Sequence, residues 1–256
     1  MCTLVILRRP DHAWPVVIGA NRDEMIGRPA LAPARHWPDR PEVVAGKDLL
    51  AGGSWLGVND WGVAAAVLNR HGSLGPAPEQ RSRGELVLEA LDHPDAVSAA
   101  EALSHLDPAA YRTFNLIIAD NRDAFWLRHA DDKNVDAWPI AEGLSLIDSG
   151  ELNRPNNRRV TLATPLFRAA APPDPDRDDW AEWQALLSNN ESPPGEPPEN
   201  ALRFTTGHGY GTVSSALVAL PQPNAGERKP RFRYAQWLPA PTPWADVSSA
   251  AISPAR

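Results

Sequence analysis

Two apolar runs stand at the start of the chain. Leu4-Val5-Ile6-Leu7 and Val16-Val17-Ile18 are free of polar interruptions and rich in β-branched residues, and Arg9-Pro10-Asp11-His12 lies between them. Short unbroken apolar runs bounded by turn signals predict strands buried on both faces, here a hairpin. A hairpin turning at Asp11 would set Cys2 opposite Ala20, with Asn21-Arg22-Asp23 just past the end of its strand. Gly46 to Arg70 predicts two more strands around the Asn59-Asp60 turn signal. Ser82 to Leu91 and Pro94 to Leu106 predict helices, with Val97, Ala100, Leu103 and Leu106 about one turn apart on the second. Thr113 to His129 reads as strand, Asp-Asn-Arg turn and strand, and Gly143 to Ile147 as a further strand. Asn156 to Phe167 and Asp178 to Leu187 predict helices, the second with Trp180, Trp183 and Leu187 on one face. Thr212 to Pro221 and Arg231 to Trp237 form a late strand pair.

Many strands with helices between them, and no regular strand–helix alternation, point to an α+β fold with antiparallel sheets. Residues 171–176 and 189–200 carry the Pro-, Asp- and Asn-rich composition of linkers. One domain is expected over residues 1–238, followed by a loosely ordered Pro/Ala-rich tail over 239–256.

Composition narrows the function classes. Hydrophobic residues are 43% of the chain, enough to fill a core. The formal net charge of −7 argues against nucleic acid as a partner, because that surface needs a basic stripe. No apolar run approaches the length of a membrane span, and the start lacks a secretory pattern. A single cysteine allows no internal disulfide and fits a reducing compartment, so a cytoplasmic location is expected. The seven histidines show no metal-ligand spacing, so no metal site is expected. His71 and His208 are the better candidates if one histidine ligates a bound haem iron. The alternative for both is a surface loop residue. Oligomeric state is not readable from the pattern.

The lone cysteine gains interest from its neighbours. Removal of Met1 would leave an α-amine of ordinary pKa about 7.7–8.0 beside a thiol of about 8.5. Such an amine can act as the base for its own side chain. Arg22 would favour the thiolate, Asp23 could hold the amine, and Asn21 or a later Asn could donate to an oxyanion. The bland alternatives are a small core cysteine and a polar turn. Asn69 and Asn115 fall at strand positions where a buried amide needs partners, as oxyanion donors or as structural ties. Trp55 reads as core or pocket wall. Gly52-Gly53 reads as a tight turn or a close backbone approach. Ser54 does not lie in a Gly-x-Ser-x-Gly elbow. Gly207 to Gly211 reads as a loop over a pocket.

Met-Cys-Thr at the start, Ala20-Asn21-Arg22-Asp23-Glu24, and Ala51-Gly52-Gly53-Ser54-Trp55-Leu56-Gly57-Val58-Asn59 together resemble the NRDE family, also called the transport-and-Golgi-organisation protein 2 family. Leu68-Asn69-Arg70, Phe114-Asn115-Leu116 and Tyr210-Gly211-Thr212 extend the resemblance to about Trp237. It implies a four-layer αββα sandwich like that of the N-terminal nucleophile hydrolases, among them bile-salt hydrolases and penicillin V acylases. In those enzymes an arginine and an aspartate follow the N-terminal cysteine by about one hairpin. It thereby implies catalytic roles for Cys2, Arg22 and Asp23; with the residue reading above, Asn69 joins them, and Asn21, Trp55, Asn115 and Ser149 are expected about the substrate. Two positions depart from the pattern: Ser149 stands where relatives tend to have Asn, and Val213 where they often have Arg. The family is also similar to proteins implicated in haem trafficking and in lipid or acyl-CoA homeostasis. Two functions therefore compete. One is hydrolysis of an amide or thioester by Cys2, with no cofactor. The other is non-catalytic binding or transfer of haem or an acyl-CoA in the same pocket.

Overall fold

The computed structural model describes residues 2–73, 75, 77–130, 133–154, 158–223 and 228–248. Strands β1 (Thr3–Arg8) and β2 (Val16–Met25) pair antiparallel at the centre of a six-stranded sheet. β10 (Gly143–Ile147) flanks β1, and β11 (Tyr210–Leu220) flanks β2. β12 (Arg231–Gln236) and β13 (Ala245–Asp246) complete that sheet. The second sheet is a meander in chain order: β3 (Ala30–Ala34), β4 (Val43–Asp48), β5 (Leu56–Asn59), β6 (Ala64–Asn69), β7 (Phe114–Ala119), β8 (Ala124–His129) and β9 (Asp136–Pro139). Every pairing between named strands is antiparallel.

Three hydrophobic clusters define four layers. Leu4, Ile6 and Ile18 of the first sheet meet Leu56, Val58 and Ile117 of the second in the central cluster. Helices α1 (Gly84–Leu91) and α2 (Ala96–Ser104) cover the second sheet, burying Leu86, Leu91 and Leu103 against Leu116 and Ile118. Helices α3 (Arg158–Ala169) and α4 (Ala181–Ser188) cover the first sheet, with Phe167 and Trp183 against Val5, Val17 and Leu217. The fold is the expected αββα sandwich. Burial on both faces explains why β1 reads as an unbroken apolar run: Leu4 and Ile6 point to one core and Val5 and Leu7 to the other.

Several local expectations shift. The first hairpin pairs Thr3 with Asn21 and Leu4 with Ala20, so Cys2 lies level with Arg22 rather than Ala20. The reason is the connection: residues 9–15 form a wide loop closed by Arg9 N–H donating to the Pro15 carbonyl at 2.7 Å, so the strands are not joined tightly at Asp11. On α2 the buried set is Ala96, Ala99, Ala100 and Leu103, while Val97 is 47% exposed, so the face is rotated from the expected one. Asp95 sets that start by accepting from the Ser98 amide at 2.8 Å. The helix expected from Asn156 starts at Arg158, with 156–157 outside the described residues. Trp180, Trp183 and Leu187 are buried together as expected. Part of the 239–256 segment docks: Ala245–Asp246 adds a strand to β12, and Trp244 packs on the helix-covered core.

Candidate active site

Period-two alternation of β2 decides which polar residues meet the cysteine. Ala20 faces the space between the sheets, and so does Arg22; Asn21 and Asp23 face the helical layer. Cys2 packs on the central cluster from the end of β1.

Arg22 is buried in the cleft beside Cys2, its guanidinium 4.2 Å above the Trp55 ring. Its ion-pair partners are Asp48 at 3.6 Å and Glu24 at 3.8 Å. Trp55 can lie there because Gly46 has no side chain: a Cβ on Gly46 would come within 2.3 Å of the indole. Gly53 likewise lets the chain touch α1, since its Cβ would meet the Gly84 backbone at 2.4 Å, and Gly52 takes the left-handed turn at φ +76°. Both readings of the Gly52-Gly53 pair hold.

The Asp23 side chain faces the helical layer. Its carboxylate is 0% exposed and accepts from Arg159 Nη1 at 2.7 Å and from Thr212 Oγ1 at 2.7 Å, on the helical side of the sheet. Arg159 also donates to Thr3 Oγ1, at 3.1 Å. The Asp23 backbone reaches the thiol: its N–H donates to Cys2 Sγ at 3.4 Å, and its carbonyl accepts from Sγ at 3.7 Å and from the Tyr210 hydroxyl at 3.3 Å. A β-bulge at Val213 brings Thr212 opposite Asp23 and Ser214 opposite Arg22. Val213 is buried, and its carbonyl accepts from the Trp237 amide at 2.8 Å.

Burial pushes the Cys2 thiol pKa above its ordinary value, and the Asp23 carboxylate adds to the rise. The Asp23 amide and Arg22 pull the other way without cancelling it. The favouring of thiolate by Arg22 is thus real in sign and outweighed in size. The resting thiol is protonated at neutral pH and needs a base to react.

The three candidate amides differ sharply. Asn21 is spent: its Nδ2 donates to Leu187 O at 3.0 Å and Leu202 O at 2.7 Å, and its Oδ1 accepts from Ser215. Asn115 is also spent. Its Oδ1 accepts from Arg70 at 2.8 Å and Trp126 at 3.1 Å, and its Nδ2 donates to the carbonyls of Asp148 and Gly150. It ties the second sheet to the loop after β10. Asn69, at the end of β6, lines the cleft of Cys2 and its amide has no hydrogen-bond partner among the described residues. Ser149 falls level with Cys2 if the Leu4–Ile147 register is continued, but its hydroxyl is taken by His71 Nε2 at 3.0 Å. His71 lines a neighbouring hollow, and His208 is exposed and outside the cleft lining.

The cleft itself has a volume of about 650 Å3 and is open at one side. Behind the thiol a narrow gap of about 20 Å3 runs between the sheets past Leu4, Leu56, Leu68 and Ala216. That gap admits little more than one water-sized group. Asp48 anchors the rim. Burial alone would raise its carboxyl, but the 2.6 Å bond from Arg28 Nε and the amides of Ala51 and Leu50 hold it below the ordinary range. Asp48, Arg159 and Tyr210 were not singled out by sequence reasoning as site residues. Only Tyr210 carried a signal, as part of the late Tyr-Gly-Thr motif.

A family model described as Transport and Golgi organisation 2 matches residues 1–225. The chain belongs to that family. A mouse Transport and Golgi organization 2 homolog is 35% identical over 119 residues, covering 43% of this chain and 40% of that protein. The human homolog is 36% identical over 115 residues, with the same coverage of 43% and 40%. The aligned region thus spans about two fifths of the curated relatives' own length. Among solved structures, the Caenorhabditis elegans ortholog of N-acylethanolamine-hydrolyzing acid amidase superposes with TM-score 0.61 at 13% identity, covering 88% of this chain and 96% of that one. A mutant conjugated bile acid hydrolase from Clostridium perfringens gives TM-score 0.57 at 11% identity, covering 97% and 92%. Penicillin V acylase from Agrobacterium tumefaciens gives 0.50 at 15% identity, covering 97% and 87%. These structures share the N-terminal nucleophile hydrolase fold, and at such identities the likeness is one of fold alone. Among the described residues no helix is long and apolar enough to cross a membrane.

Proposed function

We propose that this chain hydrolyses an amide or thioester of an amphipathic acyl compound, with Cys2 as an N-terminal nucleophile. The observation that carries the reading is the meeting of Cys2, Arg22 and the unspent Asn69 amide in one cleft. After Met1 is removed, the new α-amine takes the thiol proton, and the sulfur adds to the substrate carbonyl. The Asn69 amide donates to the oxyanion. The tetrahedral intermediate collapses to an acyl-Cys2 thioester, and the ammonium returns its proton to the departing amine or thiolate. Water then releases the acid by the same base. Arg22 keeps a fixed positive charge beside the reacting sulfur. Because burial raises the thiol pKa, the thiolate forms only as the α-amine takes the proton during attack. Named solved structures of the same fold act on N-acylethanolamines and conjugated bile acids, which is the class of bond proposed here. The test is turnover of acyl thioesters and amides by protein whose intact mass lacks Met1. Cys2→Ala and Cys2→Ser should abolish it, and unchanged turnover in either would refute the reading.

A second reading is binding or transfer of haem or an acyl-CoA without turnover. The capture of the Ser149 hydroxyl by His71 and the protonated resting thiol favour it. It predicts a Soret shift on haem titration that His71→Ala abolishes, or acyl-CoA binding that leaves the acyl group intact.

A further inference from the structure

Five arginines and three carboxylates line the cleft of Cys2, in a protein whose formal net charge is −7. Most of these charges are committed. Arg22 and Arg28 serve Glu24 and Asp48, and Arg81 serves Glu85 and Glu89 at 2.7 Å each. Asp23 is held by Arg159 from the other side of the sheet.

Arg83 is different. Its Nη1 donates to Ser73 Oγ at 2.7 Å and the Thr113 carbonyl at 2.9 Å, and its Nη2 to the Ser73 carbonyl at 3.0 Å. All three acceptors are neutral, and Arg83 makes no ion pair among the described residues. A guanidinium has five N–H groups, so Nε–H and one Nη2–H remain unspent there. Beside it Arg112 donates to the carbonyls of Gly75 at 3.0 Å and Gly72 at 3.1 Å. Gly72, Ser73 and Gly75 thus pin both forks. Burial, and then the nearby Arg112 charge, bring the Arg83 pKa down to about 10, which leaves it cationic at neutral pH. Arg83 also occupies the N-cap position of α1, with no side-chain cap bond. A cation at the positive end of a helix opposes the local dipole, so nothing in the helix itself calls for it. Arg112 also lines a second hollow of about 690 Å3, which carries Lys133 and His71 and takes Asp107 as its one carboxylate among the described lining. The positive region therefore continues past the cleft.

We propose that Arg83 and Arg112 form an anion-binding subsite of the Cys2 cleft, which holds a carboxylate or phosphate on the leaving portion of the acyl ligand. The ligand part of this rests on the acyl-hydrolase reading above; the anion subsite does not. An anion there supplies the counter-charge that Arg83 lacks among the described residues, and the two remaining Arg83 N–H groups are available as donors. It would also fix the scissile carbonyl relative to Cys2 from a distance.

The test uses the full-length Cys2→Ala protein, so that nothing turns over, and three octanoyl thioesters of matched length. Their thiols are mercaptopropionate, mercaptoethyl phosphate and mercaptoethanol. Calorimetry should give at least about tenfold tighter binding for one of the two charged esters than for the neutral one. The better of the two identifies the anion. The preference should shrink with added salt and fall toward one in Arg83→Gln and in Arg112→Gln. Equal binding of all three esters, or a preference that survives both substitutions, overturns the subsite. If Arg83→Gln does not fold, Arg112→Gln decides alone. If no ester binds, the acyl reading fails, and inorganic pyrophosphate takes over as probe. Binding that is lost in Arg112→Gln then upholds the subsite, and no binding overturns it.

Discussion

Asn21, Arg22 and Asp23 are consecutive on one strand and belong to two different environments. The odd-numbered pair faces the helices and is hydrogen-bonded there: Asn21 to two carbonyls and Ser215, Asp23 to Arg159 and Thr212. Arg22 faces the cleft, stacks on Trp55 and stays within the lining of the Cys2 site. The first environment is a dry clamp that joins α3 and α4 to the sheet. The second is a chemical site. A polar cluster in sequence is therefore two half-clusters in space, and its acidic member acts on the thiol through its backbone and its field.

Breaking the clamp should have the largest effect. Asp23→Ala leaves Arg159 buried without its counter-ion, and should destabilise the protein by about 3–5 kcal/mol in urea unfolding. A loss below about 1 kcal/mol would mean that the buried pair is not the clamp.

The amides sharpen the same contrast. Asn69→Ala should lower turnover of a thioester by about 100- to 1000-fold while stability changes by no more than about 0.5 kcal/mol. Asn21→Ala should do the reverse in kind, with about 1–3 kcal/mol of lost stability from orphaned Leu187 and Leu202 carbonyls and the Ser215 hydroxyl. Equal profiles for the two variants would erase the distinction between the faces.

The rim carries a smaller effect with a defined pH sign. The Asp48 carboxyl is held below its ordinary pKa, so its contribution is fully present above the unfolded-state value and disappears as pH falls through the folded-state value. The stability gap between the protein and Asp48→Asn should be about 1–2 kcal/mol at pH 7. It should shrink under acid conditions below the ordinary carboxylate range. A gap that stays constant would assign the Asn effect to packing.

The mildest change concerns the thiol itself. Burial and Asp23 raise its pKa, so the protonated form persists to higher pH and iodoacetamide labelling should rise later than for free cysteine. Arg22→Gln should move that rise later still. Intact mass after each time point gives the rate and reports Met1 on the same sample. A midpoint below that of free cysteine would contradict the balance described here.

The legible parts of the sequence were those buried on both faces. Leu4 to Leu7 and Phe114 to Ala119 carry their own signal because two cores demand apolar residues at every position. The edge strands of the second sheet gave none: β3 (Ala30–Ala34) contains Pro33 and buries only that residue, and β9 (Asp136–Pro139) buries none. The motifs marked Cys2, Arg22 and Trp55 for one place, and the structure brings them together there. Arg83 and Arg112 offered no spacing to notice, since they come from a helix start and a strand approach far apart in the chain.

Sequence alone determined the strand-rich α+β class, the family, and the meeting of the first hairpin's end with its own start. Those follow from local hydrophobic pattern and from motifs, which do not need partners to be read. Only the tertiary structure decided which amide is unspent, which carboxylate meets Arg159 and which arginine lacks a counter-charge among the described residues. Each of those depends on a hydrogen bond across tens to hundreds of residues, such as Arg159 to Asp23 or Asn115 to Asp148. Donors are assigned by what surrounds them, and the surroundings exist only once the sheets and helices have packed.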